Sequence, residues 1–247
     1  MPGTRERRGW LPAGACSTGK TSVCAGIATA LAEEGKRVLC VDCDIGLRNL
    51  DISLGMFDSG ALSFQDVSEG GYALSQAAVH PQYPTLSFLT APMNCGPENI
   101  NAAAFADMLQ AARCGFDYIF LDAPAGVDAG FRLAAGAADR VIMVTGADPA
   151  SIRDANRSAG ELELLGKPAR LIVNRLSKKM FKTVNITVDD VMDGAGLPLL
   201  GIVPEDENVV FAAAFGQPLL GYTDKGAASA CRRIARRLQG QRVKVRI

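Results

Sequence analysis

The sequence predicts a doubly wound, mostly parallel α/β sheet, and three observations carry that expectation. Short apolar runs recur along the chain, alanine-rich stretches of helical length separate them, and polar residues collect where most of the runs end. The runs are Val38–Val41, Leu86–Leu89, Tyr118–Leu121, Val141–Val144, Leu171–Val173 and Leu199–Val203. Most are continuous rather than alternating, the pattern of strands covered on both faces. Between them lie Thr21–Glu34, Ala102–Ala112 and Ile152–Leu165, so strand and helix alternate along the chain. Asp42 and Asp44 follow the first run, Asp122 the third, Asn174 and Arg175 the fifth, and Pro204, Glu205 and Asp206 the sixth. Ligands of open α/β sheets bind beyond the carboxyl ends of the strands. That rim is where function is expected.

Composition narrows the class. The 247 residues are 48% hydrophobic and 21% charged, enough to bury a sizeable core in one domain. Lysine plus arginine and aspartate plus glutamate each total 26, which argues against a chain whose main task is coating nucleic acid. No apolar run approaches the roughly 18 residues of a membrane span, and residues 1–14 lack a signal-peptide apolar stretch. Seven cysteines without framework spacing fit a reducing compartment, so a cytoplasmic location is expected. The neutral total conceals a basic end, with seven arginines and lysines between Arg232 and Arg246.

One segment carries chemistry. Gly14-Ala15-Cys16-Ser17-Thr18-Gly19-Lys20-Thr21 matches G-x-x-x-x-G-K-[ST], a phosphate loop. Its glycines let successive N–H groups turn toward phosphate oxygens, and the helix that follows adds its positive end. Lys20 would reach the β- and γ-phosphates, and the Thr21 hydroxyl would ligate Mg²⁺. Asp122 suits the carboxylate that holds the magnesium shell. Asp42 and Asp44, two apart on an extended segment, face the same way, and either would orient water or touch the metal. Strand-end aspartates also cap helices, but three around one phosphate loop favour the metal reading.

Beyond these residues the chain resembles a known family. Asp42-Cys43-Asp44-Ile45-Gly46-Leu47-Arg48-Asn49-Leu50-Asp51, with Leu54-Gly55 beyond, is similar to the first-switch segment of the MinD division-site ATPases, a branch of the ParA/MinD family. Asp122–Asp128 resembles their second switch, Ile152–Arg157 a helix start, and Ile172–Arg175 and Gly201–Glu207 also match. The likeness runs from about Thr18 to about Arg242. It implies a P-loop NTPase fold over residues 14–240, with 241–247 a short basic tail. It implies ATP and Mg²⁺ as ligands. Gly14, Ser17, Thr18, Gly19, Lys20, Thr21 and Ser22 would hold phosphates and metal, and Asn174, Arg175, Pro204, Glu205 and Asp206 would frame the adenine. Lys20, Asp44 and Asp122 would be catalytic, Asp44 positioning water, and Thr21, Asp44 and Asp122 would serve the metal. It further implies a homodimer, docking on the cytoplasmic face of the cell membrane, and contacts with MinC- and MinE-like regulators through Arg48 and the Arg153-Asp154 region.

Two departures stand out. Family members carry K-G-G-x-G-K-T, whose first lysine crosses the dimer to the partner's phosphates; Ala15 stands at that position here. A neutral residue removes a charge that stabilises phosphoryl transfer. A non-hydrolysing nucleotide-binding scaffold and a ParA- or FlhG-like positioning protein therefore stand beside the MinD-like reading. The second departure is upstream, where Arg5–Pro12 does not read as the apolar strand that precedes a phosphate loop. Residues 1–13 are expected to be an aberrant segment, with the central first strand missing or altered. Of the remaining signals, Cys40 and Cys43 have C-x-x-C spacing without a second pair, and His80 beside Pro81 reads as a solvated loop residue. Cys231, Ile234, Ala235 and Leu238 at helical spacing read as the domain's closing helix rather than a membrane anchor.

Overall fold

The computed structural model describes residues 8–14, 18–93, 95–126, 128–177, 183 and 186–246. Eight strands form one sheet: β1 (Arg8–Ala13), β2 (Val38–Asp42), β3 (Ala78–Val79), β4 (Leu86–Leu89), β5 (Tyr118–Asp122), β6 (Arg140–Thr145), β7 (Ala169–Leu176) and β8 (Leu199–Pro204). Their order is β3-β4-β2-β5-β1-β6-β7-β8, parallel throughout except for the short β3. The expected doubly wound α/β sheet is the observed one.

The strand before the phosphate loop is the correction. Residues 8–13 do form it, at the centre of the sheet, pairing in parallel with β5 through Trp10↔Phe120 and with β6 through Leu11↔Val141. The composition misleads because a doubly covered strand needs only two large inward side chains. Trp10 enters one core layer and Leu11 the other, as successive residues of a strand must. Gly9 donates its N–H to Asp139 Oδ2 at 2.7 Å, and Asp139 donates its own to Gly9 O. Pro12 has no N–H to give the ladder, yet its carbonyl accepts from Ala123 N. The Arg140 guanidinium lies 5.7 Å from the Trp10 ring centroid, within cation–π reach.

Helices cover both faces. On one side α1 (Lys20–Glu33) and the final α10 (Gly226–Leu238) press Ile27, Leu31, Ile234 and Leu238 against Trp10, Phe88 and Phe120. On the other lie α3 (Phe64–Ser68), α4 (Ala102–Gly115), α5 (Ala129–Ala137), α6 (Pro149–Leu164) and α7 (Val188–Ala195). The short α2 (Leu50–Leu54), α8 (Asn208–Ala214) and α9 (Leu219–Tyr222) lie on the α1 side. α10 is the expected core helix, burying Cys231, Ile234, Ala235 and Leu238. Its arginines are tied to the protein as well: Arg232 pairs with Glu33 and Asp224, and Arg236 with Glu34. Arg237 donates to the Leu200 carbonyl of the edge strand.

His80 is the second correction, because it is buried rather than solvated. Its Nε2 bonds Leu54 O at 2.8 Å, and its Nδ1 accepts from the N–H groups of Gln82 and Tyr83. A loop that must leave β3 and enter β4 within a few residues needs an internal acceptor for those amides, and the imidazole supplies one. Both nitrogens are committed only in the neutral ring, and burial lowers its pKa from the ordinary value near 6.5. The folded state then binds fewer protons than the unfolded one. Stability from this site is present above pH 6.5 and is lost as pH falls through the depressed folded value. Urea unfolding from pH 7.5 to 5 should show that decline, and His80→Gln should flatten it. Equal slopes in both proteins would disprove the assignment.

Candidate nucleotide site

Gly14 follows β1, and its φ of 154° lies at the edge of the range that favours glycine; a Cβ there would stand 2.1 Å from Val144 O of β6. The loop re-emerges at Thr18 and turns into α1 through Gly19, with φ 80°. A Cβ on Gly19 would meet Asn174 Nδ2 at 2.5 Å. That amide donates to Thr18 O at 2.8 Å, so β7 braces the loop from the side. Because the cap is glycine, no cap side chain competes for the first N–H groups of α1, the end of a helix that favours an anion. Ala15, Cys16 and Ser17 lie outside the described residues, so the predicted role of Ser17 is untouched by this geometry.

Beneath the helix start, Lys20 is buried, and Thr21 hydrogen-bonds the carboxylate of Asp122. Asp122 is 1% exposed, and its Oδ1 has no hydrogen-bond partner among the described residues. Burial and the neighbouring Asp42 push its pKa up to about 8 against the opposing pull of Thr21 and Lys20. A buried carboxylate oxygen with no donor, next to a threonine hydroxyl and opposite a lysine, fits a hard cation that prefers oxygen ligands. The residues present therefore suit Mg²⁺.

Asp42 is the register partner of Asp122 across β2 and β5. Backbone N–H groups hold both its oxygens: Oδ1 accepts from Asp44 N at 2.9 Å and Oδ2 from Leu50 N at 3.2 Å. The carboxylate organises the turn after β2, and burial raises its pKa to about 7 despite those bonds. Asp44 is half-buried in that turn, its Oδ1 accepting from Leu47 N at 3.2 Å.

Beside the loop opens a cleft of about 240 Å³ that gathers Gly19, Ser22, Asn174, Arg175, Pro204, Glu205 and Asp206. Every residue expected to frame the base lines it. β7 runs through Asn174 and Arg175 rather than ending before them. Asp206 shapes the cleft, accepting from Asn208 N at 3.0 Å and from Ala227 N at 2.8 Å, which fastens α8 and α10 to its wall. Sequence reasoning missed the apolar lining of Val209, Val210, Leu219 and Cys231. Those residues arrive from α8, α9 and α10, and no local spacing marks their convergence. Arg48 lies against Thr90, while Arg153 and Asp154 sit exposed near the start of α6. The C-x-x-C pair divides between faces, Cys40 in one core layer and Cys43 in the other.

Fold and site together define a phosphate-loop nucleotide-binding α/β domain. Residues 13–219 match the CobQ/CobB/MinD/ParA nucleotide binding domain. The chain is 37% identical over 236 residues to the septum site-determining protein MinD of Synechocystis, covering 94% of this chain and 88% of that protein. Among solved structures, the Aquifex aeolicus MinC:MinD cell division complex is 32% identical with a TM-score of 0.89, over 97% of this chain and 98% of the other. MinD of Pyrococcus horikoshii complexed with Mg-ADP is 26% identical with a TM-score of 0.81, over 94% and 95%. The chain belongs to the MinD family of septum site-determining proteins.

Proposed function

We propose that this chain is a MinD-like ATPase that binds Mg²⁺-ATP, pairs with a second copy, seats on the membrane surface and helps select the division site. The single observation that carries the ligand is the buried, donorless Oδ1 of Asp122 beside Thr21 and Lys20. Lys20 would hold the β- and γ-phosphate oxygens, the α1 N–H groups the β-phosphate, and the cleft beside Asn174 the adenine. Thr21 and Asp122 would hold Mg²⁺, which neutralises charge on the bridging phosphate oxygens when bound. Asp44 would position the attacking water once its carboxylate leaves Leu47 N. No helix among the described residues is long and apolar enough to cross a membrane, so attachment would be peripheral. The Aquifex relative stands in complex with MinC, which supports a regulator of that kind meeting Arg48 and the Arg153-Asp154 region.

Ala15 favours a second reading, in which nucleotide is bound and not hydrolysed. Calorimetry with Mg²⁺-ATP on wild type and Lys20→Ala tests the first step; equal affinity in both would refute the site. ATP turnover, with and without phospholipid vesicles, then separates the readings. Ala15→Lys is expected to raise turnover roughly 10²-fold by restoring one charge at the transferring phosphoryl. Inactivity of both versions leaves the scaffold.

A further inference from the structure

A second cavity of about 470 Å³ opens between the loop after β2, the start of α3 and the loop after β4. Arg48 forms its polar end. The guanidinium Nη2 donates to Thr90 Oγ1 at 3.1 Å, while Nε is buried with no hydrogen-bond partner among the described residues. Leaving a buried donor unsatisfied is unfavourable, the more so when it is charged. Arg48 also holds φ at 51°, a left-handed conformation that strains a non-glycine residue. Nothing else among the described residues uses these two costs, which is the pattern of a ligand site. Asp66 lines the cavity without pairing with Arg48, its Oδ2 held by the N–H and hydroxyl of Ser63. Pro92 and Met93 give an apolar wall, Met93 being 76% exposed.

We infer that this cavity is a carboxylate-binding site, in which Arg48 and the Thr90 hydroxyl grip the anion while Pro92 and Met93 cover the adjoining methylenes. One guanidinium edge with two parallel donors matches the planar pair of carboxylate oxygens. A phosphate dianion would need more donors than this edge offers. The loop that carries Arg48 also carries Asp44: Arg48 N bonds Asp44 O at 3.1 Å, and Leu47 N holds the Asp44 carboxylate. A ligand that moves Arg48 therefore moves the turn that occupies Asp44. That coupling rests on the proposed role of Asp44; the binding site itself does not.

The test uses the full chain, ¹⁵N-labelled and free of nucleotide, titrated with sodium propionate and with the peptide Ac-Ala-Glu-Ala-NH₂. The Arg48 Nε–H and Thr90 amide resonances should shift and saturate. Thr90→Val should weaken binding roughly tenfold. In Arg48→Lys and Arg48→Gln the Thr90 shift should vanish, with unfolding midpoints no lower than wild type's confirming that both variants fold. Saturation by propionate and peptide alike, or by either alone, supports the site and tells a free small acid from an acidic side chain of a partner. Absence of any shift with both probes, or a Thr90 shift undiminished in Arg48→Gln, overturns it. Lys20→Ala should shift as wild type does, so failure of the nucleotide reading leaves this result intact.

Discussion

Asp122→Asn should abolish magnesium-dependent nucleotide binding and at the same time make the nucleotide-free protein more stable at neutral pH. Both effects have one cause. The Asp122 carboxyl is buried beside Asp42, and its pKa stands near 8 against an ordinary 3.8. With the folded value above the unfolded one, the folded state holds a proton that the unfolded state has released. Stability from this group is present below about pH 3.8 and is lost as pH rises through about 8. Asp42, near 7, adds in the same direction. Each unit of separation corresponds to about 1.4 kcal/mol, so even a partial effect is a sizeable share of a domain's 5–15 kcal/mol. The asparagine keeps the shape and discards the charge. Its melting temperature should therefore fall less than wild type's between pH 5 and 8.

The same proton must leave when a cation takes Asp122 Oδ1. Mg²⁺-ATP binding at pH 7 should then release close to one proton, read by calorimetry in buffers of different ionisation enthalpy. Release should fade toward pH 9. In Asp122→Asn it should vanish, with turnover falling roughly 10³-fold for loss of the metal's contribution. Binding without proton release in wild type would mean that Asp122 is not the carboxylate that meets the metal.

Much of this site was legible because its chemistry is local. The G-x-x-x-x-G-K-[ST] spacing marked Gly14, Gly19, Lys20 and Thr21 as candidates, and strand-end position marked Asp122, Asn174 and Pro204–Asp206. Position alone did not show how Asp42 is held. Its strand register with Asp122 was predictable, but that its two oxygens would close on Asp44 N and Leu50 N depends on the turn that follows. β1 was illegible for a different reason. Gly9 and Pro12 are poor strand residues by propensity, and their pairing is imposed by β5 and β6 on either side, where burial overrides preference. His80 was misplaced because a proline neighbour marks a loop, while the loop's own amides required something buried to accept from.

The two loop glycines should be the least replaceable small residues in the chain, and Gly35 supplies the measure. Gly35 has φ of 74° with nothing within 4 Å of a built Cβ, so Gly35→Ala pays only for backbone conformation, about 1 kcal/mol. Gly14→Ala carries that strain to a lesser degree and adds a Cβ 2.1 Å from Val144 O. The obstacle is main chain of the neighbouring central strand, which cannot rotate away, so β1 or β6 must move. About 3 kcal/mol or more is expected, within the range of overpacked cores. Gly19→Ala meets a side-chain amide instead, and Asn174 can swing aside. Its stability cost should fall between the other two. Its functional cost should not, because the displaced Asn174 releases Thr18 O and uncovers the base cleft at the same stroke. Mg²⁺-ATP affinity should drop at least roughly 100-fold in Gly14→Ala and Gly19→Ala, and stay within about twofold in Gly35→Ala. Unfolding midpoints and calorimetric affinities on the three variants separate strain from contact. A Gly19→Ala protein that binds nucleotide as wild type does would show that Asn174 does not brace the loop.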